Sequence, residues 1–253
     1  MKILESLNAR SRQGKKSIAV LIDPDKIGGT DRLEPLLRLA NENCVDYFFV
    51  GGSLVTTTNL SDVVKTIKNN ISIPVVLFPG SAVQIDPSAD AILFLSLISG
   101  RNPDLLIGQH VVAAPILKNN KLEILPTGYI LVNSGKTTSV AYISNTTPIP
   151  EDKYSLAACT AMAGEMLGLK LIYLDAGSGA EREVNEKMIN TVRNAVDAPL
   201  IVGGGINTPQ KAFNALEAGA DLIVIGNALE KSPELLTEIA EKVYDFNQAV
   251  SAK

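Results

Sequence analysis

Short apolar runs recur along the chain and contain few alternating polar positions. Eight such runs stand out, at Ile18–Ile22, Val45–Val50, Pro74–Phe78, Ala91–Leu95, Tyr129–Val132, Leu171–Leu174, Leu200–Val202 and Leu222–Ile225. A strand that is apolar throughout is covered on both faces, as in a parallel sheet. Many of the runs stop at Gly, Pro or Asp, which are typical of turns. The pattern therefore predicts eight buried, parallel strands.

Amphipathic helical patterns lie between several of these strands. They are clearest at Leu33–Asn41, Leu60–Asn69, Leu156–Leu167, Glu186–Val196 and Pro209–Ala218. Eight strands that alternate with helices are typical of an α/β (βα)8 barrel of the TIM type. The alternative, an open doubly wound sheet, usually has fewer strands and a G-x-G-x-x-G turn near its start, which this sequence lacks. We expect residues 1–253 to form a single barrel domain, since such barrels commonly run to about 250 residues.

Two stretches depart from this alternation. Pro79–Asp90, between the third and fourth strands, contains three Pro or Gly residues, and a proline inside a helix costs about 3 kcal/mol. We therefore predict a modified barrel in which an irregular or strand-like segment replaces the third helix. Lys118–Pro150 is predicted to elaborate the fifth strand, with short β segments at Leu122–Leu125, Tyr129–Val132 and Ser139–Ile143.

Charge and cysteine usage narrow the functional classes. The 253 residues include 23 Lys plus Arg and 27 Asp plus Glu, a net charge of −4, whereas a general nucleic-acid binder needs a basic surface. No window approaches the roughly 18 apolar residues of a membrane span, and Ile18–Ile22 is too short for a signal-peptide core. Cys44 and Cys159 fit two free thiols in a reducing compartment, although a disulfide between them stays open. We expect a soluble, cytoplasmic protein.

Three glycine-rich turns follow the last three predicted strands. They read Tyr173–Ala180, Val202–Ile206 and Ile225–Ala228. Glycine lets backbone N–H groups approach an anion, and a helix start just beyond each turn would add positive partial charge. Barrels frequently bind phosphate at the loops after strands seven and eight. Tight turns alone would also explain glycine, but three in succession predict a phosphate site among the amides of Gly177, Gly179, Gly204, Gly205, Gly226 and Asn227.

The turn after the first strand carries charged residues. Asp23 stands where a carboxylate could bind Mg²⁺, and Lys26 could meet a phosphate as a point charge. Ser53, after the second strand, adds a hydroxyl at the same end of the barrel. A turn-capping role for Asp23 is equally open, because Asp-Pro is a common turn dipeptide. A cation facing a phosphate site suggests a diphosphate substrate.

Three other candidates for catalysis have weak support. His110, the single histidine, lies in an apolar helical pattern and is expected to be a packed residue. Ser178 has no histidine partner in the sequence, so a Ser-His-Asp triad is not indicated. Lys170 precedes the sixth strand and is predicted to lie at the opposite end of the barrel from the active site.

Taken together, the motifs resemble the geranylgeranylglyceryl phosphate synthases and their bacterial relatives, especially the larger of the two subgroups. The matching segments are Leu21–Lys26, Val50–Ser53, Asn102–Pro115, Tyr173–Ala180, Gly203–Ile206 and Gly226–Asn227. The resemblance covers most of the chain, and Asp175–Ala180 is its most specific part. It implies a barrel without its third helix and transfer of a geranylgeranyl group from geranylgeranyl diphosphate, or of another prenyl group, to sn-glycerol 1-phosphate, with Mg²⁺.

The resemblance also implies roles for individual residues. Asp23 and Ser53 would support the metal and the diphosphate. Glycerol 1-phosphate would be held by Tyr173, Leu174, Asp175, Ala176, Gly177, Ser178, Gly179, Gly204, Gly205, Gly226 and Asn227.

Asp175 is the candidate general base, because an attacking alcohol must lose its proton and a positioned carboxylate can take it. A helix N-cap is the alternative role for this residue. The prenyl tail needs an apolar groove, for which Phe94, Leu95, Leu97, Ile98 and Tyr129 are candidates, although ordinary core positions explain them equally well. Chain-elongating prenyl synthases carry an Asp-Asp-x-x-Asp pattern, which is absent here.

Two other functions compete with this one. Another phosphate-binding barrel enzyme, such as a sugar-phosphate isomerase or synthase, would show similar turns, and fold-level analogy does not separate them. A non-catalytic prenyl-phosphate binding protein is the second. We further expect a homo-oligomer, no nucleic-acid partner and peripheral membrane contact at most, for product release.

Overall fold

The computed structural model describes residues 2–27 and 33–251, and eight parallel strands in it close into a barrel in the order β1 to β8. The strands are β1 Ser17–Ile22, β2 Tyr47–Gly52, β3 Val75–Pro79, β4 Ala91–Leu97, β5 Glu123–Leu131, β6 Leu171–Asp175, β7 Leu200–Gly203 and β8 Leu222–Ile225. The barrel closes where β1 pairs with β8, with Val20 opposite Ile225. The predicted (βα)8 architecture and all eight predicted strands are confirmed.

Ten α-helices accompany the strands in the described part of the chain. They are α1 Ile3–Arg12, α2 Glu34–Glu42, α3 Leu60–Asn70, α4 Gln109–Lys118, α5 Ser139–Ser144, α6 Tyr154–Met166, α7 Glu186–Arg193, α8 Pro209–Glu217, α9 Asn227–Lys231 and α10 Leu235–Ser251. The five predicted helices correspond to α2, α3, α6, α7 and α8. No helix in the described residues is both long enough and apolar enough to cross a bilayer.

The connection from β3 to β4 contains only a short 3₁₀ turn, Ala82–Gln84. The buried Gln84 side chain accepts the N–H of Gly80 at 2.9 Å and donates to the carbonyl of Gly52 at 3.3 Å. These bonds join the turn after β3 to the end of β2. The prediction that the helix after β3 is lost is confirmed; the helix labelled α3 is the one that precedes β3. This side of the barrel therefore has no crossover helix between β3 and β4 in the described residues.

The region around β5 differs from the prediction in two ways. The two β segments predicted at Leu122–Leu125 and Tyr129–Val132 form one continuous strand, β5. Pro126 has no N–H to donate, but its carbonyl accepts the N–H of Lys170 at 2.8 Å, where pairing with β6 begins. Gly128 leaves room for Ile98, whose Cδ1 would lie 2.8 Å from a Cβ at that position.

The third predicted β segment, Ser139–Ile143, is wrong, because these residues form the helix α5. Its β-branched and aromatic residues favour strands, but local propensity yields to tertiary context. The helix ends at Asn145, which adopts a left-handed conformation with φ of 50°, a common C-terminal geometry.

Side chains of the barrel form two apolar layers. One layer lies between the strands and the helices, and the other fills the barrel interior. Helix α1 places Ile3 and Leu7 in the interior layer, and its first amides, those of Ile3 and Leu4, donate to the Glu123 carboxylate at 2.7 and 3.0 Å. The N-terminal end of the barrel is therefore covered by α1. The cavity opens at the opposite end of the barrel, where the strands have their C-termini.

Candidate active site

A cavity of about 1290 Å³ opens at the C-terminal ends of the strands. One part is bordered by the turns after β1, β6, β7 and β8, which contribute polar side chains and glycines. The other part is apolar and lies beside β3, β4 and β5, next to the connection that lacks a helix. Polar groups and an apolar channel therefore border the same cavity.

Asp175, the last residue of β6, lies where these two parts meet. Its side chain is buried, with only 6% of the residue exposed. The Tyr129 hydroxyl donates to Oδ2 at 2.5 Å, and the Gly177 N–H donates to Oδ1 at 2.8 Å. The helix N-cap interpretation is wrong, because α7 does not begin until Glu186 and Asn185 caps it.

The environment of Asp175 changes its acid–base behaviour. Burial raises the pKa of Asp175 above its ordinary value, while the bonds from Tyr129 and Gly177 act in the opposite direction. Burial, together with the nearby Asp175 charge, raises the pKa of Tyr129 well above 10. Tyr129 therefore keeps its proton and donates it in the bond to Asp175. A buried carboxyl group with a raised pKa is a better proton acceptor, once ionised, than a hydrated one.

The glycine turns lie together at the polar part of the cavity, as predicted. Gly204 and Gly205 both have positive φ, of 80° and 74°, and their N–H groups donate to no other residue in the described chain. A Cβ on Gly204 would lie 2.7 Å from Asp175 Oδ1, so only glycine lets the β7 turn approach this carboxylate so closely. The Gly177 N–H, in contrast, is occupied by Asp175, so the prediction that it faces a phosphate is wrong for this amide.

The sequence predicts a helix start just beyond each of the three glycine-rich turns, and the structure has one close to only two of them. Helix α9 begins directly after Gly226, at Asn227, and α8 begins at Pro209, shortly after the β7 turn. After β6 the chain runs to Glu186 before a helix forms. A helix N-terminus therefore lies near the last two turns and not near the first.

Lys26 links three of the turns at the polar part of the cavity. Its Nζ lies 2.8 Å from Asn227 Oδ1 and 3.4 Å from Ser178 Oγ. It also forms ion pairs with Asp23 at 3.1 Å and with Glu230 at 3.6 Å. Lys26 therefore lies beside the glycine-rich turns after β6 and β8, and its contact with a phosphate stays a prediction.

Glu230 is a member of this cluster that the sequence analysis missed. Burial raises the pKa of Glu230, and the Lys26 charge opposes that change. The available signal was its spacing from Asn227, since positions three apart share one face of a helix.

Asp23 and Ser53 lie in the cavity wall at the ends of β1 and β2. Asp23 Oδ1 accepts the N–H of Asp25 at 3.1 Å, so the turn-capping role is present. Its Oδ2 faces Lys26. A Cβ on Gly52 would lie 3.8 Å from the Asp23 carboxyl carbon, which places β2 directly beside Asp23.

Asp25, which the sequence analysis did not assign, joins the turns after β1 and β2. Its carboxylate accepts the N–H and hydroxyl groups of both Thr56 and Thr57, at 2.7–3.0 Å. Desolvation raises its pKa, but these four bonds prevail and lower it to about 2. Asp25 therefore stays ionised and fixes the loop that carries Asp23.

The apolar part of the cavity contains most of the residues proposed for a groove. Phe94, Leu95, Leu97 and Tyr129 line it. Ile98 does not, because its side chain lies against Gly128 and Gly164, between β5 and α6.

His110 and Lys170 lie where the sequence analysis placed them. His110 is buried, with Nε2 3.0 Å from Ser96 Oγ and its ring 4.5 Å from that of Phe94. Burial lowers the pKa of His110, as suits a packed, neutral ring on the cavity wall. The Lys170 N–H donates to Pro126 at the start of β6, far along the strand from Asp175.

Residues 11–243 match the PcrB family. The chain belongs to the PcrB family. Proteins named geranylgeranylglyceryl phosphate synthase are similar to this family member along almost its whole length. That of Spirosoma linguale is 58% identical over 237 residues, covering 94% of this chain and 95% of its own. The synthase of Pyrococcus furiosus is 42% identical over 233 residues, which cover 92% of this chain and 91% of the relative.

Solved structures extend the likeness of this PcrB-family chain to three dimensions. The (S)-3-O-geranylgeranylglyceryl phosphate synthase of Thermoplasma acidophilum, in complex with its substrate sn-glycerol-1-phosphate, is 33% identical with a TM-score of 0.90, covering 97% of this chain and 99% of its own. Thiamine phosphate pyrophosphorylase of Pyrococcus furiosus shares the fold, with a TM-score of 0.58 at 15% identity. Barrel shape alone is thus common to different activities.

We expect Tyr129→Phe to raise the pKa of Asp175 further, because the buried carboxylate loses one of its two donors. Because its folded-state pKa lies above the ordinary 3.8, the contribution of Asp175 to the free energy of unfolding is fully present below pH 3.8. It is lost as pH rises through the folded-state pKa. In the variant this fall should extend to higher pH, with an additional loss of about 1.5–3 kcal/mol once Asp175 is ionised.

Urea unfolding across the acidic to neutral range measures this effect. The matched control is Tyr129→Phe in an Asp175→Asn background, where the pH-dependent part of the loss should vanish. An equal pH dependence in both backgrounds would show that Tyr129 does not act on the Asp175 carboxylate.

Proposed function

We propose that this PcrB-family protein transfers a geranylgeranyl group from geranylgeranyl diphosphate to a hydroxyl of sn-glycerol 1-phosphate and releases diphosphate. Its relatives carry the name of that activity, and the Thermoplasma acidophilum enzyme binds sn-glycerol-1-phosphate. The observation that carries the proposal is the buried Asp175 carboxylate, placed between glycine turns suited to a phosphate and an apolar channel suited to a prenyl tail.

The acceptor fits the polar part of the cavity. Its phosphate would be held by the free amides of Gly204 and Gly205 and by Gly226 and Asn227, where α9 begins. Lys26 supplies a cationic group beside Asn227, with its Nζ 2.8 Å from Asn227 Oδ1. This arrangement leaves the far end of the glycerol chain toward Asp175.

Asp175 then acts as the general base. The pKa of an alcohol lies far above 7, so the attacking oxygen must lose its proton as it bonds to the allylic carbon. The carboxylate takes that proton, while the bond between the allylic carbon and the diphosphate oxygen breaks and its electron pair leaves with the diphosphate. Tyr129 and Gly177 hold the carboxylate in one orientation throughout.

The prenyl tail fits the apolar part of the cavity. Phe78, Phe94 and Leu95 line it beside the connection that lacks a helix. A full crossover helix after β3 would cover this side of the barrel, so its absence gives a long tail a path along the sheet.

Mg²⁺ is part of the proposal, and the residues present fit it. Mg²⁺ usually binds one or two carboxylates and completes its coordination with water and substrate phosphate. Asp23 offers one carboxylate on the cavity wall and Ser53 a nearby hydroxyl, while no cluster of three or more acidic, His or Cys ligands occurs in the described residues. When bound, the ion would stabilise negative charge on the departing diphosphate.

The alternative functions have less support. A sugar-phosphate isomerase or synthase would share the barrel and the phosphate turns, but the similar proteins over nearly the full chain carry the prenyl-transfer name. A non-catalytic binding protein would have no need for a buried carboxylate directed into the cavity by two donors.

The first test is formation of an ether lipid from labelled geranylgeranyl diphosphate and sn-glycerol 1-phosphate, followed by organic extraction. The wild-type protein should form it, and Asp175→Asn should lower kcat about tenfold or more, since the amide lacks the basic oxygen. Asparagine keeps the oxygen that accepts the Gly177 N–H, so the melting temperature and the glycerol 1-phosphate affinity should change little.

Absence of product with the wild-type protein would refute the proposed activity. Wild-type kcat in Asp175→Asn would leave the activity standing and the base unidentified.

Replacement of Asp23 tests the metal. Asp23→Asn should weaken Mg²⁺-dependent binding of the diphosphate while leaving glycerol 1-phosphate binding near normal, as measured by KM for each substrate over a series of Mg²⁺ concentrations. Asp62→Asn is the control, because Asp62 is an exposed acidic residue in the first turn of α3 that does not line the cavity. Normal turnover of Asp23→Asn at low Mg²⁺ would leave Asp23 with its turn-capping role alone.

We also propose a homo-oligomer that forms through α4. This helix buries His110, Ala113 and Leu117, yet Val111 and Val112 on its outer side are 64% and 59% exposed. Outer faces of surface helices are normally polar, and contiguous exposed apolar residues mark interaction sites. A second copy carries the same strip, so a two-fold arrangement covers both at once.

Val111→Glu should therefore reduce the solution mass toward the 26.9 kDa of one chain, as measured by light scattering after size exclusion. Leu167→Glu, at an apolar position that is 81% exposed at the end of α6, should keep the wild-type mass. A wild-type protein with the mass of one chain would refute the oligomer.

A further inference from the structure

The residue before α5 carries a hydroxyl that helix capping does not use. Thr138 has the extended conformation of an N-cap, with φ of −94° and ψ of 162°, and its carbonyl accepts the N–H of Tyr142. A threonine in this position normally accepts a backbone N–H of the first turn with its side chain. The Thr138 side chain makes no such bond.

The Thr138 hydroxyl is also buried without a partner. The residue is 5% exposed, and Oγ1 has no hydrogen-bond partner among the described residues. Buried hydroxyl groups are nearly always hydrogen-bonded, since leaving one unpaired is unfavourable. An unpaired hydroxyl on a cavity wall is consequently a candidate for ligand recognition, and Thr138 lines the cavity.

The position of Thr138 relative to Asp175 narrows the choice of ligand group. A Cβ built on Gly177 would lie 2.8 Å from Thr138 Oγ1, and the N–H of the same glycine donates to Asp175 Oδ1. The hydroxyl and the carboxylate therefore flank one residue. Gly177 has φ of 88° and no side chain, so its backbone keeps the two groups close.

We propose that Thr138 recognises the hydroxyl of the acceptor that does not react, an inference that rests on the proposed function. Glycerol 1-phosphate presents a phosphate, a reacting hydroxyl and, between them on the carbon chain, a second hydroxyl at C2. The glycine turns hold the phosphate and Asp175 receives the reacting hydroxyl. Thr138 beside Asp175 is placed for the C2 hydroxyl, and its own hydroxyl can both donate and accept.

Tyr173 is the rival for this contact. Its hydroxyl lies on the β7 side, where a Cβ on Gly203 would be 2.5 Å away.

Ser134 provides a matched control. Its hydroxyl is also buried without a partner among the described residues and belongs to the same loop, but it does not line the cavity.

The test compares two acceptors, sn-glycerol 1-phosphate and 3-hydroxypropyl phosphate, which lacks only the C2 hydroxyl. Sites built to bond a hydroxyl reject analogues that lack it, so the wild-type enzyme should prefer glycerol 1-phosphate. Thr138→Val should lower kcat/KM for glycerol 1-phosphate about tenfold or more and leave that for the analogue within about twofold. Thr138→Ser should retain the preference, and Ser134→Ala should leave both values unchanged.

Three outcomes would overturn the assignment. Equal losses for both acceptors in Thr138→Val would give Thr138 a structural role only. Loss of the preference in Tyr173→Phe, with retention in Thr138→Val, would assign the C2 hydroxyl to Tyr173. A wild-type protein inactive with glycerol 1-phosphate would refute the proposed function and this assignment with it, and this result is recognisable before any variant is made.

Discussion

The need to satisfy a buried carboxylate organises the catalytic end of the barrel. Asp175 lies in the interior, so both of its oxygens require donors, which come from Tyr129 on β5 and from the Gly177 amide in the turn that follows β6. The β7 turn can approach the same carboxylate only because Gly204 has no side chain. Residues of three successive strands and their turns thus lie around one ionisable group.

A second constraint comes from the side of the barrel without a crossover helix. Gln84 replaces part of that helix by bonding Gly80 and Gly52, which secures the turn after β3 without covering the sheet. The cavity consequently extends from the polar turns along β3, β4 and β5. The polar turns and the apolar lining beside β3, β4 and β5 therefore border one continuous cavity.

Much of this architecture was predictable because it depends on local patterns. Apolar runs define the strands, proline and glycine in Pro79–Asp90 exclude a helix, and glycine turns predict the phosphate end. The bond between Tyr129 and Asp175 joins residues 46 apart and depends on barrel register, which no local pattern contains. The same holds for Glu230, which gains its role only when α9 faces Lys26, and for α5, whose strand-like sequence folds as a helix between longer elements.

Helix α1 has a consequence for the electrostatics of the whole interior. Because it covers the N-terminal end and places Ile3 and Leu7 in the interior layer, the interior is reached from the loop end alone, and its polarity increases along the barrel axis. Asp175 lies at the loop end of β6, on the wall of the cavity. Two residues deeper, at Tyr173, a carboxyl group would be forced toward its neutral form, and in the outer turns it would be hydrated and a weaker base. The position of Asp175 along β6 therefore contributes, through burial, to the raised pKa of its carboxyl group.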